Sequence, residues 1–327
     1  MRAFEYASPT TAAQALKLLT PGSAPLAGGS DLLALMKDEV ETPNRLVNLK
    51  DLRDLQGIRW DPKVGLRIGA LTTIDEVASE PTLKFDYSAL AEAFGRVAGP
   101  QIRNVATVGG NLCQRPRCWY FRNGFGLLPM KDGKSMAVEG DNRYHAIFGD
   151  GPAYFVTPST VAPLLVALGT QIAVLGPQGE RRMELERFFR IPQKEGEREH
   201  DLAPGEIVTE IVVPPISAAS GLRVASYEVR QRETLDWSLA TASVVLDMDG
   251  ATVKRARVVL GQVAPIPWTA KATEELLAGK TLDRALAEKA GEAAIQGAKP
   301  LSRNRYKVQL ARVAVKRALL EAAGMEA

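Results

Sequence analysis

The chain has 327 residues, more than one ordinary hydrophobic core accommodates, so two or three domains are expected. Hydrophobic residues make up 46% and charged residues 24%, a soluble globular composition, and 41 Lys plus Arg against 38 Asp plus Glu leave a net charge of +3, too small to indicate a nucleic-acid or membrane partner. Two cysteines, Cys113 and Cys118, exclude a secreted disulfide scaffold and favour a reducing compartment. No window approaches the roughly 18 uninterrupted apolar residues of a membrane span, and Arg2 to Ala12 lacks a signal-peptide core. By its own sequence the chain is expected in the cytoplasm, with export as a folded passenger of a partner the route to a periplasmic location.

In chain order, residues 1–55 read as a small α/β unit. Thr10 to Leu19 has helical spacing, Pro25-Leu26-Ala27 is a short strand entering Gly28-Gly29, Asp31 to Lys37 resumes helical periodicity and Arg45 to Leu49 is a second strand. Residues 56–218 form a longer mixed unit. Val64 to Ile68 and Gln171 to Leu175 read as strands, while Thr73 to Ala78, Ser88 to Val97 and Pro163 to Leu168 read as helices. Glu206 to Val213 is β-rich and stops at Pro214-Pro215. Residues 222–327 carry strand-like runs at Arg223 to Arg230, Ala240 to Met248 and Val253 to Gln262, with Asp249-Gly250 as a hairpin turn and an alanine-rich helical pattern from Trp268 onward. A three-stranded antiparallel sheet backed by a helical bundle fits that last unit.

Two segments carry the chemistry. In Leu26-Ala27-Gly28-Gly29-Ser30-Asp31-Leu32, paired glycines let backbone N–H groups turn toward a ligand, and a helix starting near Ser30 adds its positive end, a phosphate cradle. The same pair also fits an ordinary strand-to-helix turn. In Gln101 to Leu112, Gly109-Gly110 again follows an apolar run, flanked by Thr107 and Asn111 as side-chain hydrogen bonders. Two such loops about eighty residues apart suit one extended dinucleotide held from two sides, and neither has the G-x-G-x-x-G spacing of a nicotinamide site.

These strings resemble the FAD-binding subunits of the xanthine dehydrogenase and carbon monoxide dehydrogenase family, the molybdenum hydroxylases. The resemblance runs from Phe4–Leu19 through both loops and Leu202-Ala203-Pro204-Gly205-Glu206-Ile207 to the C-terminal sheet and bundle. It implies an α+β chain: a two-part FAD-binding fold of the vanillyl-alcohol-oxidase (PCMH-like) type, followed by the antiparallel sheet and bundle. It also implies roles. Leu26, Ala27, Gly28, Gly29, Ser30, Asp31 and Leu32 would hold the FAD diphosphate. Thr107, Gly109, Gly110 and Asn111 would contact the diphosphate and ribityl chain, with Ser159 in the turn beyond. Ile207 or Val208 would lie near the isoalloxazine ring. No side chain need be catalytic. The implied partners are a [2Fe–2S] subunit and a molybdopterin subunit, and the implied reaction is electron transfer to an external acceptor during oxidation of an aldehyde or N-heterocycle.

Residues 113–154 form an insert of about forty residues that many family members lack. Its strings Cys118-Trp119-Tyr120-Phe121-Arg122 and Gly140 to Ile147 are similar to the insert of periplasmic aldehyde oxidoreductase flavin subunits, which carries a [4Fe–4S] cluster. Such a cluster usually needs four thiolates, and two at C-x4-C spacing do not suffice, so no [4Fe–4S] cluster and no metal are expected in this chain. A Cys113–Cys118 disulfide is the lesser alternative. Thr160 and Glu228 stand where relatives carry an acid and a lysine. His145 is expected to order the insert, while His200, in the charged stretch Lys194 to Asp201, and the Arg181-Arg182 pair are expected in solvent. Two rival readings remain: a self-sufficient FAD oxidase or dehydrogenase, and a structural subunit without FAD.

Overall fold

The computed structural model describes residues 1–216, 221–232 and 236–326; the expected end of the second unit at residue 218 lies outside them. The first sheet is parallel and three-stranded, with Arg45–Asn48 between Glu5–Ala7 and Ser23–Leu26. Helix Ala12–Leu18 begins where the Thr11 hydroxyl accepts from the Gln14 N–H at 3.2 Å, satisfying one of the helix's orphan donors. Strand Glu5–Ala7 escapes the sequence reading because it is three residues long and mostly exposed, leaving no alternation to detect.

The second sheet is antiparallel, in the order Ile58–Asp61, Gly65–Gly69, Ile207–Val213, Gln171–Gly176, Gly179–Glu184. Ile207–Val213 is central, which explains its near-continuous apolar run: six of its seven residues are buried. The seventh, Glu210, takes two bonds from the Arg67 guanidinium on the neighbouring strand at 2.8 and 2.9 Å. Helices Ile74–Ser79 and Ser88–Gly95 pack on this sheet. The first starts with a reciprocal Thr73–Glu76 capping box, and the second buries Phe94 completely. Arg181 is not in a solvated turn. It lies in edge strand Gly179–Glu184, and Glu206 and Asp201 draw its guanidinium onto the sheet surface at 2.7 and 2.9 Å.

In the C-terminal unit, Leu222–Arg230, Ser238–Asp249 and Thr252–Gly261 form the expected antiparallel ladder. A fourth strand, Trp268–Thr269, pairs with Leu260 and Val259, so the helical pattern expected from Trp268 begins only at Lys271. Helices Lys271–Leu277, Arg284–Ala294 and Tyr306–Ala322 cover one face. Half of their buried positions are alanines, which lets the long last helix lie close to the sheet.

The 113–154 insert bridges these units. The amide of Asn142, fully buried, accepts from the Arg303 N–H at 2.8 Å and donates to the Ser302 hydroxyl and the Ala137 carbonyl. Asn304 donates to the carbonyls of His145 and Ala146, and the buried Lys307 ammonium donates to those of His145 and Gln262. A hydrophobic core alone would not fix this segment; buried amides and one ammonium do so because each finds backbone partners.

His145 is 3% exposed in the insert. His200, expected in solvent, is 7% exposed: an isolated bridge to Phe189 carries it inward, and its ring stacks on Phe188 with centroids 5.1 Å apart. Burial lowers both imidazoles to about 4 from an ordinary 6.5, helped at His145 by the Lys307 charge. Between pH 6.5 and 4 the unfolded chain therefore takes up two protons that the folded chain refuses, so stability falls as pH drops through that window. At pH 5 this amounts to roughly 2 kcal/mol per histidine. Thermal unfolding should show Tm falling from pH 7 to pH 5, and the double variant His145→Gln/His200→Gln should lose markedly less; an equal fall in both proteins would remove the histidines from the account.

Candidate functional site

The fold brings the two glycine loops into contact. A Cβ on Gly28 would stand 1.9 Å from the Val105 carbonyl oxygen and 3.0 Å from the Ala106 Cα, so only glycine lets the first loop lie against the second. Gly29 follows at φ +72°, a left-handed turn that L side chains rarely adopt. Leu26 is buried at the end of its strand, Ala27 packs beside a core cluster containing Ile207, Ser30 is exposed and Leu32 opens helix Leu32–Lys37. Among the described residues, the N–H groups of Gly28, Gly29, Ser30 and Asp31 donate to nothing. The first loop thus presents a run of free donors.

The second loop differs. The N–H of Val108 bonds to the Thr72 carbonyl, that of Gly109 to Ala70, that of Gly110 to the Thr107 hydroxyl and that of Asn111 to the Thr107 carbonyl, at 2.8 to 3.1 Å. Thr107 is thereby the cap of the short helix Val108–Leu112. Gly109 needs its bare Cα for packing, since a Cβ there would sit 2.9 Å from that of Ala70. Of this loop's backbone amides none of these four is free; Gly110 is exposed, and the Asn111 side chain accepts from the Ser159 hydroxyl at 2.6 Å. The Ser159 hydroxyl also accepts from the Ala162 N–H at the start of the next helix, and its carbonyl accepts from the Gln262 amide at 3.0 Å. Ile207 and Val208 are both buried, in separate core clusters on opposite faces of the central strand.

Charge completes the clamp. Asp31, in the first loop, accepts from the Arg115 N–H at 2.8 Å and pairs with Arg117 at 2.7 Å and Arg122 at 2.8 Å. Arg115 pairs in addition with Glu41 and with the nearly buried Glu199. The Arg117 guanidinium also lies 4.7 Å from the ring centroid of Trp237, in the C-terminal unit. Asp31 is thus a hub for the guanidinium groups of Arg117 and Arg122 and the backbone of Arg115, and its carboxylate is unsuited to touch an anion; its backbone N–H is not. Sequence reasoning overlooked these arginines, although the run Arg115-Pro116-Arg117 ahead of Trp119-Tyr120-Phe121-Arg122 was their signal. Glu228, another departure from the family strings, is satisfied in place by Arg230 and the Ser238 hydroxyl.

The two cysteines are free, and burial pushes the Cys113 thiol up to about 12. The Cys118 sulfur lies 3.2 Å from His145 Nε2. Among the described residues no group of three His, Cys, Asp or Glu side chains is placed to hold a metal ion. A cavity of about 240 Å³ opens between the insert, the stretch before Ser159 and the C-terminal sheet, bordered by Arg117, Cys118, Pro158, Trp237 and Gln262.

A run of free N–H donors on a left-handed glycine, in a loop jammed against its neighbour, fits an anionic group such as a diphosphate. Fold and clamp together define a chain built to hold an extended, anionic cofactor where three units meet. Residues 2–216 match the model described as FAD binding domain in molybdopterin dehydrogenase, and residues 225–322 match the CO dehydrogenase flavoprotein C-terminal domain. The aldehyde oxidoreductase FAD-binding subunit PaoB of Escherichia coli K12 is 33% identical, the alignment covering 98% of this chain and 99% of that one. The carbon monoxide dehydrogenase medium chain of Afipia carboxidovorans is 30% identical, over 97% and 95%. A crystal structure of Cu,Mo-CO dehydrogenase superposes with a TM-score of 0.78 at 27% identity, covering 99% of this chain and 98% of that one. The chain therefore belongs to the FAD-binding subunits of the xanthine dehydrogenase and carbon monoxide dehydrogenase family, and is an oxidoreductase subunit with FAD as its cofactor. No helix among the described residues is long and apolar enough to cross a membrane.

The Gly28–Val105 contact makes one substitution decisive. Gly28→Ala forces the two loops apart and should cost at least the ~1–3 kcal/mol typical of overpacking. Gly95→Ala, where a Cβ meets nothing within 4 Å and the residue is helical, should be neutral or stabilising. Urea denaturation of both variants measures the contrast; equal midpoints would mean that the loops do not depend on their contact.

Proposed function

We propose that this chain is the flavin-bearing electron-transfer subunit of an aldehyde-oxidising molybdenum hydroxylase, assembled with a [2Fe–2S] subunit and a molybdopterin subunit. The observation that carries the reading is the run of free N–H donors at Gly28, Gly29, Ser30 and Asp31, held against the second loop by a contact only glycine permits. In this reading those donors bind the diphosphate. Thr107 and Gly109 act by holding the second loop in shape, and Asn111, positioned by Ser159, offers its side-chain N–H₂ to the ribityl side. Ile207 supports the first loop from beneath through Ala27, and Val208 lies in the opposite core with Ala106, Val108 and Leu112 of the second loop. Asp31 does not bind the cofactor through its carboxylate; it ties the loop to Arg115, Arg117 and Arg122 and so couples cofactor binding to the insert.

FAD supplies the redox chemistry through which electrons arriving from a partner's clusters leave for an external acceptor. The chain's residues bind, orient and shield it; none is required as nucleophile or general base. The choice of aldehyde as substrate class rests on the 33% identity to an aldehyde oxidoreductase subunit over nearly the whole of both chains. Co-expressed with its partner subunits, the complex should oxidise an aromatic aldehyde and bleach a flavin absorbance band as it does so. The isolated chain should carry flavin but turn over no aldehyde. Turnover by the isolated chain, or a purified complex free of flavin that takes up none on reconstitution, would overturn the proposal.

A further inference from the structure

A second cavity, of about 560 Å³, opens at the other end of the C-terminal sheet. It borders Asp247, whereas the aromatic cavity borders Ser238, so the two lie roughly 30 Å apart along strand Ser238–Asp249. Its floor is the sheet face carrying Val245, Asp247, Arg255 and Arg257, where the register sets Asp247 against Arg255 and Val245 against Arg257. One wall is the end of helix Ala162–Ala167 and the turn that follows it to Thr170; the other is helix Lys271–Leu277. Among the described residues five carboxylates border the cavity against three cations, and the shortage of positive charge is sharpest at Arg257. That guanidinium serves two carboxylates at once, Glu186 at 3.2 Å and Glu274 at 3.6 Å. Burial holds the Glu274 carboxyl above its ordinary range, with Glu186 adding to the rise and the Val258 N–H and Arg257 opposing it. The other cations are engaged: Arg255 by Asp247 at 3.1 Å, Lys254 by Asp249 at 4.0 Å.

Thr170, on the wall, is an independent sign of a ligand. It is 1% exposed, its N–H bonds to the Leu165 carbonyl and its own carbonyl accepts from the Leu185 N–H. Its hydroxyl alone finds no partner. Buried polar groups are nearly always satisfied, so an orphan hydroxyl beside a cavity marks the place of a ligand atom. The uncommitted groups here are oxygens, the Thr170 hydroxyl and the surplus carboxylates, and they repel an anion. A metal ion meets no group of three His, Cys, Asp or Glu side chains placed to hold it among the described residues. A ligand whose polar groups are all N–H donors supplies what the cavity lacks. Arg255 and Arg257 stand two residues apart on one strand face, so the carboxylates they hold, Asp247 and Glu186, are anchored about 7 Å apart. A short polymethylene chain covers that span, and Val166, Leu168 and Val245 offer it apolar surface.

We propose that this cavity binds a linear aliphatic polyamine, its ammonium groups on the surplus carboxylates and the Thr170 hydroxyl and its methylenes on Val166, Leu168 and Val245. The site stands apart from the flavin clamp and does not depend on the flavin reading. Its walls come from the second unit and the C-terminal unit, so a bound polyamine ties these two together at the end away from the clamp. Binding makes and breaks no covalent bond.

Isothermal titration calorimetry of the FAD-loaded full chain with spermidine, at about 0.15 M salt, tests the site. Spermidine should bind one saturable site. Butylamine, with a single ammonium, should bind at least tenfold more weakly, and equimolar Mg²⁺ should not displace spermidine. Glu274→Gln should weaken spermidine at least tenfold and Thr170→Val severalfold, while the flavin spectrum and Tm stay as in the parent. Glu139→Gln, exposed in the insert, should leave the affinity unchanged. If either cavity variant disturbs the fold, the double variant Glu184→Gln/Glu275→Gln decides, because both residues border the cavity and are exposed. A threefold or larger loss of affinity there supports the site, and parental affinity overturns it. Absence of saturable binding, butylamine as tight as spermidine, or displacement by equimolar Mg²⁺ each overturns it as well, the last two in favour of a nonspecific counter-ion. The flavin spectrum of the same sample reports on the flavin reading separately.

Discussion

The contact between Gly28 and the Val105 carbonyl is the constraint on which the rest of the site depends. It sets the distance between a loop at the end of a strand in the first sheet and a helical turn tied to Ala70 beside the second, far apart in sequence. With a side chain at Gly28 the loops would separate, and neither the free donors of the first nor the capped turn of the second would face a common ligand. The contact is a backbone approach, so no polar substitution can imitate it. Around it the chain places Asp31, whose carboxylate is neutralised by the guanidinium groups of Arg117 and Arg122 and also accepts from the backbone N–H of Arg115, leaving the loop's positive N–H edge as its remaining electrostatic character.

The division of labour between the loops follows from their hydrogen bonds. The first is rigid at its base, where the Leu26 carbonyl accepts from the Leu49 N–H, and open at its tip. The second bonds its amides to the chain itself and so works as a fixed wall. The insert is the third component. It reaches back to Asp31 through arginines, forward to the C-terminal helices through Asn142, Asn304 and Lys307, and sideways to Trp237 through Arg117. A segment that holds three units together in this way has a structural task independent of any metal. It also creates the aromatic cavity, because Trp119 and Tyr144 come from the insert and Trp237 from the sheet it is tied to.

Much of this was legible in the sequence. Paired glycines after short apolar strands and the β-rich run Glu206 to Val213 each have a local physical cause, and the structure shows the left-handed turn at Gly29 and the central strand, whereas Thr107, expected as a hydrogen bonder to a ligand, spends its side chain as a helix cap. What local pattern could not convey was which surface each residue meets. Asp31 reads as a helix-start residue and becomes a salt-bridge hub, because its partners lie about ninety residues away. His200 sits among charges in sequence, yet a single bridge to Phe189 buries it. Gly109 reads like Gly28, but one glycine serves packing against Ala70 and the other serves loop approach. The fold depended on periodicity and was therefore readable; the roles within the site depended on long-range partners and were not.

The most direct test is a crystal structure of the FAD-loaded chain. The account predicts diphosphate oxygens within hydrogen-bonding distance of the N–H groups of Gly28, Gly29, Ser30 and Asp31, with the Gly28–Val105 contact preserved and the Asp31 carboxylate still paired to its arginines. A diphosphate bound away from these donors, or reached by Asp31 giving up its arginines to the cofactor, would contradict it.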